Sequence, residues 1–149
     1  MNESKVVSSK SATAGDAAVD GLLSGIVAGV VMAVYLVVVG LVMGEGPGIV
    51  LSRFDPGEAP SPLTGALMHL AVAGVYCVAF GPIARWIGRR ATLPGWLIGL
   101  VYGLGVLLIA EVILLPGTNS PLREIPVLHF GVAHVVYGLT LGWRAVRPG

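Results

Sequence analysis

The sequence predicts an all-α protein, a membrane-embedded four-helix bundle whose helices run up, down, up and down. The first observation behind this prediction is composition: 55% of the 149 residues are hydrophobic and 11% are charged, against about 45–50% and 25% in soluble globular chains. The second is that four apolar stretches, each about as long as a bilayer core is thick, alternate with short segments rich in Gly, Pro or Arg. A net charge of +1 without a long basic run argues against nucleic acid as a partner.

The chain divides into a polar cytoplasmic tail (residues 1–20), a transmembrane domain (residues 21–144) and a short cytoplasmic tail (residues 145–149). The first tail lacks hydrophobic periodicity, so we expect it to be poorly ordered. The first apolar run is too long for a signal-peptide core, and we expect no cleavage there. Gly81-Pro82 and Pro116-Gly117 are the predicted ends of the second and third helices. The four predicted helices cover residues 21–43, 63–83, 95–115 and 125–143.

Basic residues predict the orientation in the membrane, because Lys and Arg near the ends of spans are retained in the cytoplasm. Only Arg53 and Arg123 lie on one predicted side, in the loops of residues 44–62 and 116–124. We therefore expect a multi-pass protein of the cell inner membrane with both termini cytoplasmic. The three tryptophans agree, since they fall at the predicted cytoplasmic boundary, where indole rings are favoured. The cytoplasmic side holds Lys5, Lys10, Arg85, Arg89, Arg90, Arg144 and Arg147.

Small residues spaced four apart predict where the helices pack, because membrane helices associate through close backbone approach. Short loops favour antiparallel neighbours. The predicted packing positions are Gly21, Gly25 and Gly29 in the first helix, Gly65, Ala73 and Gly81 in the second, Gly95, Gly99 and Gly103 in the third, and Gly138 and Gly142 in the fourth.

The four helices can also be interpreted as a tandem duplication of a helical hairpin. GLLSGIVAG from Gly21 matches GWLIGLVYG from Gly95, and HLAVAGV from His69 matches HFGVAHV from His129. Matched helices run in the same direction, so the repeats would be related by an axis along the membrane normal. Chance similarity is the alternative, since Gly, Ala and Val are common in any membrane helix.

Four ionisable side chains within the apolar segments are the candidate functional residues, because such groups are costly inside a bilayer. At about 1.5 Å per residue, Glu111 and His129 lie about 6 Å below the outer boundary, His69 about 9 Å and His134 about 13 Å. If a cofactor is bound, we predict His69 and His129 as its ligands. His134 and Glu111 would then contact these ligands and not the cofactor itself. The identity of the cofactor stays open, and b-type haem suits two imidazoles on facing helices. Cys77, the single cysteine, is expected to pack as a small apolar residue.

Three functions are compatible with this pattern. The leading prediction is a non-catalytic accessory or assembly subunit of a larger membrane complex. Its partners would be lipid and other membrane subunits, or further copies of the chain. In this case the histidines only form hydrogen bonds between helices. The first alternative is an electron-transfer protein that binds b-type haem or a metal through intramembrane histidines. The second is a small transporter or proton relay, although no charge lies in the inner half of the membrane. An enzyme is the least favoured class, because no G-x-S-x-G, H-E-x-x-H or P-loop motif occurs.

Four sequence features occur in a distinctive order. They are G-x-x-x-G in the first apolar segment, Met68-His69 early in the second, a Gly-rich third, and H-x-x-Y-G-x-x-L-G from His134 to Gly142 in the fourth. This order resembles that of small bacterial four-helix integral membrane proteins of unknown function. The resemblance implies the fold and a bacterial inner membrane but no substrate, and His129 has no place in its pattern.

Overall fold

The computed structural model describes residues 13–116 and 120–145, which are mostly helical and contain no strand, so the predicted all-α class is confirmed for this part of the chain. A π-helical segment, Ala110–Leu114, continues the fourth helix, and a 3-10 turn, Pro121–Glu124, precedes the fifth. The α-helices are α1 (Ala14–Val42), α2 (Pro47–Ser52), α3 (Pro62–Gly88), α4 (Gly95–Ile109) and α5 (Val127–Ala145).

Three of the described helices are long and apolar enough to cross a membrane, namely Ala14–Val42, Pro62–Gly88 and Gly95–Leu114. The helix α5 is not among them. It has 19 residues, and its two histidines together with Arg144 make it less apolar than the others.

The helix α1 begins earlier than the sequence predicted, because Thr13 and Asp16 form a capping box. The Thr13 hydroxyl accepts a hydrogen bond from the Asp16 amide at 3.2 Å, and the Asp16 carboxylate accepts one from the Thr13 amide at 2.7 Å. These bonds satisfy amides that the first turn of a helix leaves unpaired. Residues 14–20 are therefore helical rather than part of a tail. Residues 1–12 of the predicted tail, with Lys5 and Lys10, lie outside the described residues, as do Gly117 and the predicted tail residues 146–149.

The helix α3 continues past the predicted stop at Gly81-Pro82 and ends at Gly88, so the prediction of a helix end there is wrong. A proline inside a helix removes one backbone hydrogen bond, which packing against a neighbour can outweigh. Gly81 provides such packing, because a Cβ at this position would clash with the carbonyl oxygen of Ala17 on α1. The glycine therefore permits close helix contact instead of ending the helix.

The helices form two antiparallel pairs, α1 with α3 and α4 with α5, and α1 also packs along α5. In the first pair, a Cβ at Gly25 would lie 2.5 Å from the carbonyl oxygen of Ala73. In the second pair, a Cβ at Gly103 would lie 2.5 Å from the carbonyl oxygen of His134. Both distances are too short for any side chain, so glycine is required at these contacts. The remaining neighbours, α3 and α4, barely touch. The structure also places the other predicted packing glycines of these helices at helix contacts: Gly21, Gly29, Gly95, Gly99, Gly138 and Gly142.

When the two helix pairs are matched by their glycine contacts, the residues of α3 and α5 correspond in a different register from that of the sequence alignment. Gly25 meets Ala73 in the first pair, and Gly99 meets Gly138 in the second. His69 and His134 precede Ala73 and Gly138 by the same number of residues, so His134, not His129, is the structural counterpart of His69. The alignment relied on a shared Val-Ala, whereas the backbone contacts of α5 are made by Gly138 and Gly142.

Candidate functional site

A cavity of about 550 Å³ lies between α1, α3, α5 and the continuation of α4. It is near the end of the helices that carries α2, Arg53 and Glu124, which we call the α2 end. Apolar side chains such as Met32, Val72 and Val106 form most of its wall. The polar residues that line it are Arg53, His69, Tyr76, Ser120, His134 and Tyr137.

The mouth of the cavity is the gap between α3 and the π-helical segment. Met68 and Val72 on α3 and Leu114 on the π-helical segment all line the cavity, and their side chains are 41%, 46% and 43% exposed. A residue that both lines a cavity and is exposed marks an opening. The cavity therefore opens sideways, onto the flank of two helices that are apolar enough to cross a membrane. Pro56, which also lines the cavity and is exposed, marks a second opening at the α2 end.

Tyr102 closes the gap between α3 and α4 on the side of the cavity away from the α2 end. Its hydroxyl on α4 donates a hydrogen bond to the carbonyl oxygen of Tyr76 on α3, and its ring meets the ring of Phe80 edge-on at a centroid distance of 5.0 Å. These contacts hold α3 and α4 together at this level, whereas nearer the α2 end the helices separate around the cavity.

An ion-paired cluster lies at the α2 end, centred on Arg53, which lines the cavity. The Arg53 guanidinium donates two hydrogen bonds of 2.6 Å to the Glu45 carboxylate and one of 3.1 Å to Glu124. The bonds to Glu45 and Glu124 raise the pKa of Arg53, and the bonds from Arg53 lower the pKa of the Glu45 carboxyl. Because Glu124 ends the 3-10 turn that precedes α5, the cluster ties the α1–α2 connection to the segment before the last helix.

Asp55 organises the loop that follows α2. Its buried carboxylate accepts hydrogen bonds from the amide of Gly57 at 2.9 Å and the amide of Ser61 at 2.8 Å. The Ser61 bond, followed by the Gly57 bond, holds the pKa of the Asp55 carboxyl below its usual range. The same loop places the ring of Phe54 4.4 Å from that of His69, so the loop is packed directly onto the wall of the cavity.

His69 and His134 are both buried, and both line the cavity. The Nε2 atom of His69 lies 3.0 Å from the carbonyl oxygen of Gly29 on α1. The Nδ1 atom of His134 lies 2.9 Å from the carbonyl oxygen of Phe130, one turn earlier in α5. Each ring therefore donates one N–H to a backbone carbonyl, which fixes its tautomer and leaves its other nitrogen as a hydrogen-bond acceptor.

Tyr137 connects the two helix pairs at the back of the cavity. Its hydroxyl donates a hydrogen bond to the carbonyl oxygen of Ala73 at 2.8 Å and lies 2.8 Å from the sulfur of Cys77. Since the hydroxyl hydrogen goes to Ala73, the thiol of Cys77 is the donor in the second contact. Cys77 is fully buried, as expected for a small residue in a core.

The structure places the other two predicted site residues away from the cavity wall. The Nδ1 atom of His129 lies within hydrogen-bonding distance, 3.3 Å, of the Tyr35 hydroxyl, at the contact between α5 and α1. Glu111 lies half-buried in the first turn of the π-helical segment, next to the cavity-lining residue Ala110. The geometry brings His69 together with His134, and cofactor binding by His69 and His129 stays a prediction.

Within residues 13–116 and 120–145, no group of three or more His, Cys, Asp or Glu side chains is arranged to hold a metal ion. The cavity histidines each carry one acceptor nitrogen, which suits a hydrogen-bond donor as well as it suits a single metal bond.

Sequence reasoning missed the cavity and the role of Arg53, because both depend on how distant segments meet. It did contain a signal for the back wall. His134 and Tyr137 are the first two residues of the motif H-x-x-Y-G-x-x-L-G, and residues three apart lie on one face of a helix. Both line the cavity.

Comparison of the chain with protein-family models, with curated proteins and with solved structures gives no match. The geometry of the cavity therefore provides the evidence for function.

Proposed function

We propose that this chain is a four-span protein of the cell inner membrane that takes up a lipophilic molecule sideways from the bilayer and holds it in the cavity. The mouth formed by Met68, Val72 and Leu114 carries the proposal, because it joins the cavity to the flank of membrane-length apolar helices. The volume of about 550 Å³ supports it, since pockets for small organic molecules measure about 300–1,000 Å³.

The chemistry of the wall favours binding over catalysis. Among the residues that the structure describes, those that line the cavity include no carboxylate. The hydroxyl of Tyr137 is already engaged with Ala73, and Arg53 is paired with Glu45 and Glu124. The polar groups thus hold the helices and the loop in place, while apolar side chains provide most of the contact surface.

The proposed topology places the α2 end outside and both termini in the cytoplasm, with α5 as the fourth span. The distribution of basic residues supports it. At the end opposite α2, Arg85 donates a hydrogen bond to the carbonyl oxygen of Thr13 at 2.8 Å, and Arg144 donates one to the hydroxyl of Ser24 at 3.3 Å. In intact cells, a membrane-impermeant thiol reagent should modify a cysteine at Ser120 and spare one at Gly88. The reverse pattern would overturn the topology.

A wider role as an accessory subunit of a larger membrane complex is compatible with this binding function. Large apolar side chains such as Val34 on α1 and Val75 on α3 are more than half exposed, and they would contact lipid or a partner helix. Purification from native membranes in a mild detergent tests the role. Recovery of the chain alone, without a stoichiometric partner, would overturn it.

Photolabelling in lipid nanodiscs tests ligand uptake. The probe is a long-chain alkyl diazirine without a polar head, and the readout is the yield of crosslinks on Phe130 and Tyr137, which are buried and which lipid on the outer surface does not reach. Ala110→Phe places a bulky ring in the cavity and should lower this yield severalfold. Val112→Phe is the matched control, since Val112 is exposed and does not line the cavity. The absence of crosslinks on both residues in the unmodified protein would overturn the proposal.

A further inference from the structure

The tautomer of His134 is determined by its own helix. Nδ1 lies 2.9 Å from the carbonyl oxygen of Phe130, and a carbonyl oxygen only accepts hydrogen bonds, so Nδ1 carries the hydrogen. In an uncharged ring, Nε2 then carries a lone pair. The uncharged ring is favoured here, because the part of the wall formed by residues 13–116 and 120–145 contains no carboxylate and a charge within an apolar span is costly.

The Nε2 atom of His134 borders the open volume of the cavity. His134 lines the cavity although its side chain is only 4% exposed. Among the described residues, every fully enclosed side-chain nitrogen or oxygen has a hydrogen-bond partner, and the partner found for His134 is the one on Nδ1. Nε2 is therefore not fully enclosed. The other ring nitrogen, Nδ1, is hydrogen-bonded to the backbone of α5. Nε2 is therefore the hydrogen-bond acceptor that His134 offers to a bound molecule.

The second cavity histidine adds an acceptor of the same kind. Nε2 of His69 donates to the carbonyl oxygen of Gly29 at 3.0 Å, which leaves the lone pair on Nδ1. Arg53 is the cationic side chain in the wall. It does not favour an acidic ligand, because the carboxylates of Glu45 and Glu124 neutralise its charge. The polar part of the cavity therefore suits an uncharged hydrogen-bond donor.

We propose that the cavity recognises a neutral lipophile through a hydroxyl group, of the phenol or alcohol class, that donates a hydrogen bond to Nε2 of His134. This inference rests on the proposed uptake of a lipophilic molecule and names the chemical class of that molecule. The apolar part of the ligand lies along Val72 and Val106 toward the mouth, and the hydroxyl lies at the buried end.

A matched pair of competitors tests the inference. Para-dodecylphenol and its methyl ether have nearly the same shape, but only the phenol has a hydrogen to donate. Each is used to displace the alkyl diazirine from the cavity in nanodiscs. The phenol should bind about fivefold more tightly than the ether, as expected for the net effect of one hydrogen bond.

Two variants on α5 test whether His134 is responsible for the tighter binding of the phenol. His134→Phe removes the acceptor and keeps a ring of similar size, so the phenol and the ether should then compete equally. His129→Phe is the matched control, because His129 does not line the cavity, and it should leave the fivefold preference unchanged. Size-exclusion profiles and helical content establish that each variant is folded. If His134→Phe does not fold, the wild-type comparison tests the hydroxyl preference, and His69→Phe, which should leave that preference unchanged, tests its assignment to His134.

The outcomes separate this inference from the proposed function. Equal competition by phenol and ether in the wild-type protein would overturn the hydroxyl preference and leave uptake of lipophiles standing. Failure of both compounds to displace the diazirine, or absence of crosslinks in the cavity, would overturn the proposed function itself. A Soret band in protein purified from its native membrane that is lost in His134→Phe would assign Nε2 to iron and overturn the inference.

Discussion

The hydroxyl of Tyr137 on α5 donates a hydrogen bond to the carbonyl oxygen of Ala73 on α3 at 2.8 Å, and this bond joins the two antiparallel helix pairs across the back of the cavity. We expect Tyr137→Phe to lower the free energy of unfolding by about 0.6 kcal/mol, the mean for interhelical side-chain hydrogen bonds in membranes. Unfolding in mixed micelles by a denaturing detergent measures the change. Tyr76→Phe is the control, since Tyr76 contributes its carbonyl oxygen to the contact with Tyr102. Equal effects of the two substitutions would contradict this account of Tyr137.

The close approach of α4 and α5 predicts opposite effects for two glycines on one helix. A Cβ at Gly103 would lie 2.5 Å from the carbonyl oxygen of His134, whereas a Cβ at Gly105 would meet no atom within 4 Å. Gly103→Ala should therefore destabilise the protein by roughly 1–3 kcal/mol through overpacking. Gly105→Ala should be neutral or stabilising by up to about 1 kcal/mol, because alanine favours the helix. Thermal unfolding in detergent, followed by circular dichroism, compares them, and a Gly103→Ala protein as stable as Gly105→Ala would count against this helix contact.

The loop that covers the cavity should depend on pH through Asp55. Its carboxylate accepts hydrogen bonds from the amides of Gly57 and Ser61, which hold its pKa below the usual value of 3.8. A carboxyl group whose pKa is lowered on folding contributes stability above the unfolded pKa, and this contribution is lost as pH falls through the folded value. The loop should therefore stay ordered down to about pH 4 and loosen only at lower pH.

Amide chemical shifts measure this transition directly. The amide resonances of Gly57 and Ser61 should move together as pH falls below 3.8, the value usual for an aspartate. In Asp55→Asn the side chain no longer titrates, so these shifts should be independent of pH over the same range. A midpoint above 3.8 in the unmodified protein would contradict the assignment.

The helical class and the close contacts could be predicted from local sequence, because apolar length and glycine spacing are properties of single segments. Gly25 and Gly99 illustrate this, since each lies where its helix meets a partner backbone. The continuation of α3 through Pro82 could not be predicted in this way, because the contact of Gly81 with Ala17 outweighs a local signal for termination.

The cavity depends on tertiary arrangement more than the helices and their close contacts do. It is lined by residues of α3 and by residues of α4 and its π-helical continuation, and no single segment encodes the gap between them. Its wall at the α2 end requires Arg53 to reach Glu124, which lies 71 residues further along the chain. The sequence identified buried histidines as candidates, but the choice of His134 over His129 for the wall follows from the register of α5 against α4.

Tyr102 should control the width of the cavity mouth. Its hydroxyl donates to the carbonyl oxygen of Tyr76, and it provides the side-chain hydrogen bond found between α3 and α4 in the described part of the chain. Because these helices otherwise barely touch, Tyr102→Phe should let them separate further.

Spin labels on the exposed sides of α3 and α4 report this separation. Val75 and Val101 are 67% and 62% exposed, so cysteines there accept labels, while the native Cys77 is 0% exposed and is protected from reaction. In Tyr102→Phe the distribution of distances between the labels should broaden and shift to larger values. Tyr76→Phe keeps the carbonyl acceptor and should leave the distribution unchanged. Identical distributions in the unmodified protein and in Tyr102→Phe would show that the Phe80 ring contact alone holds the two helices together.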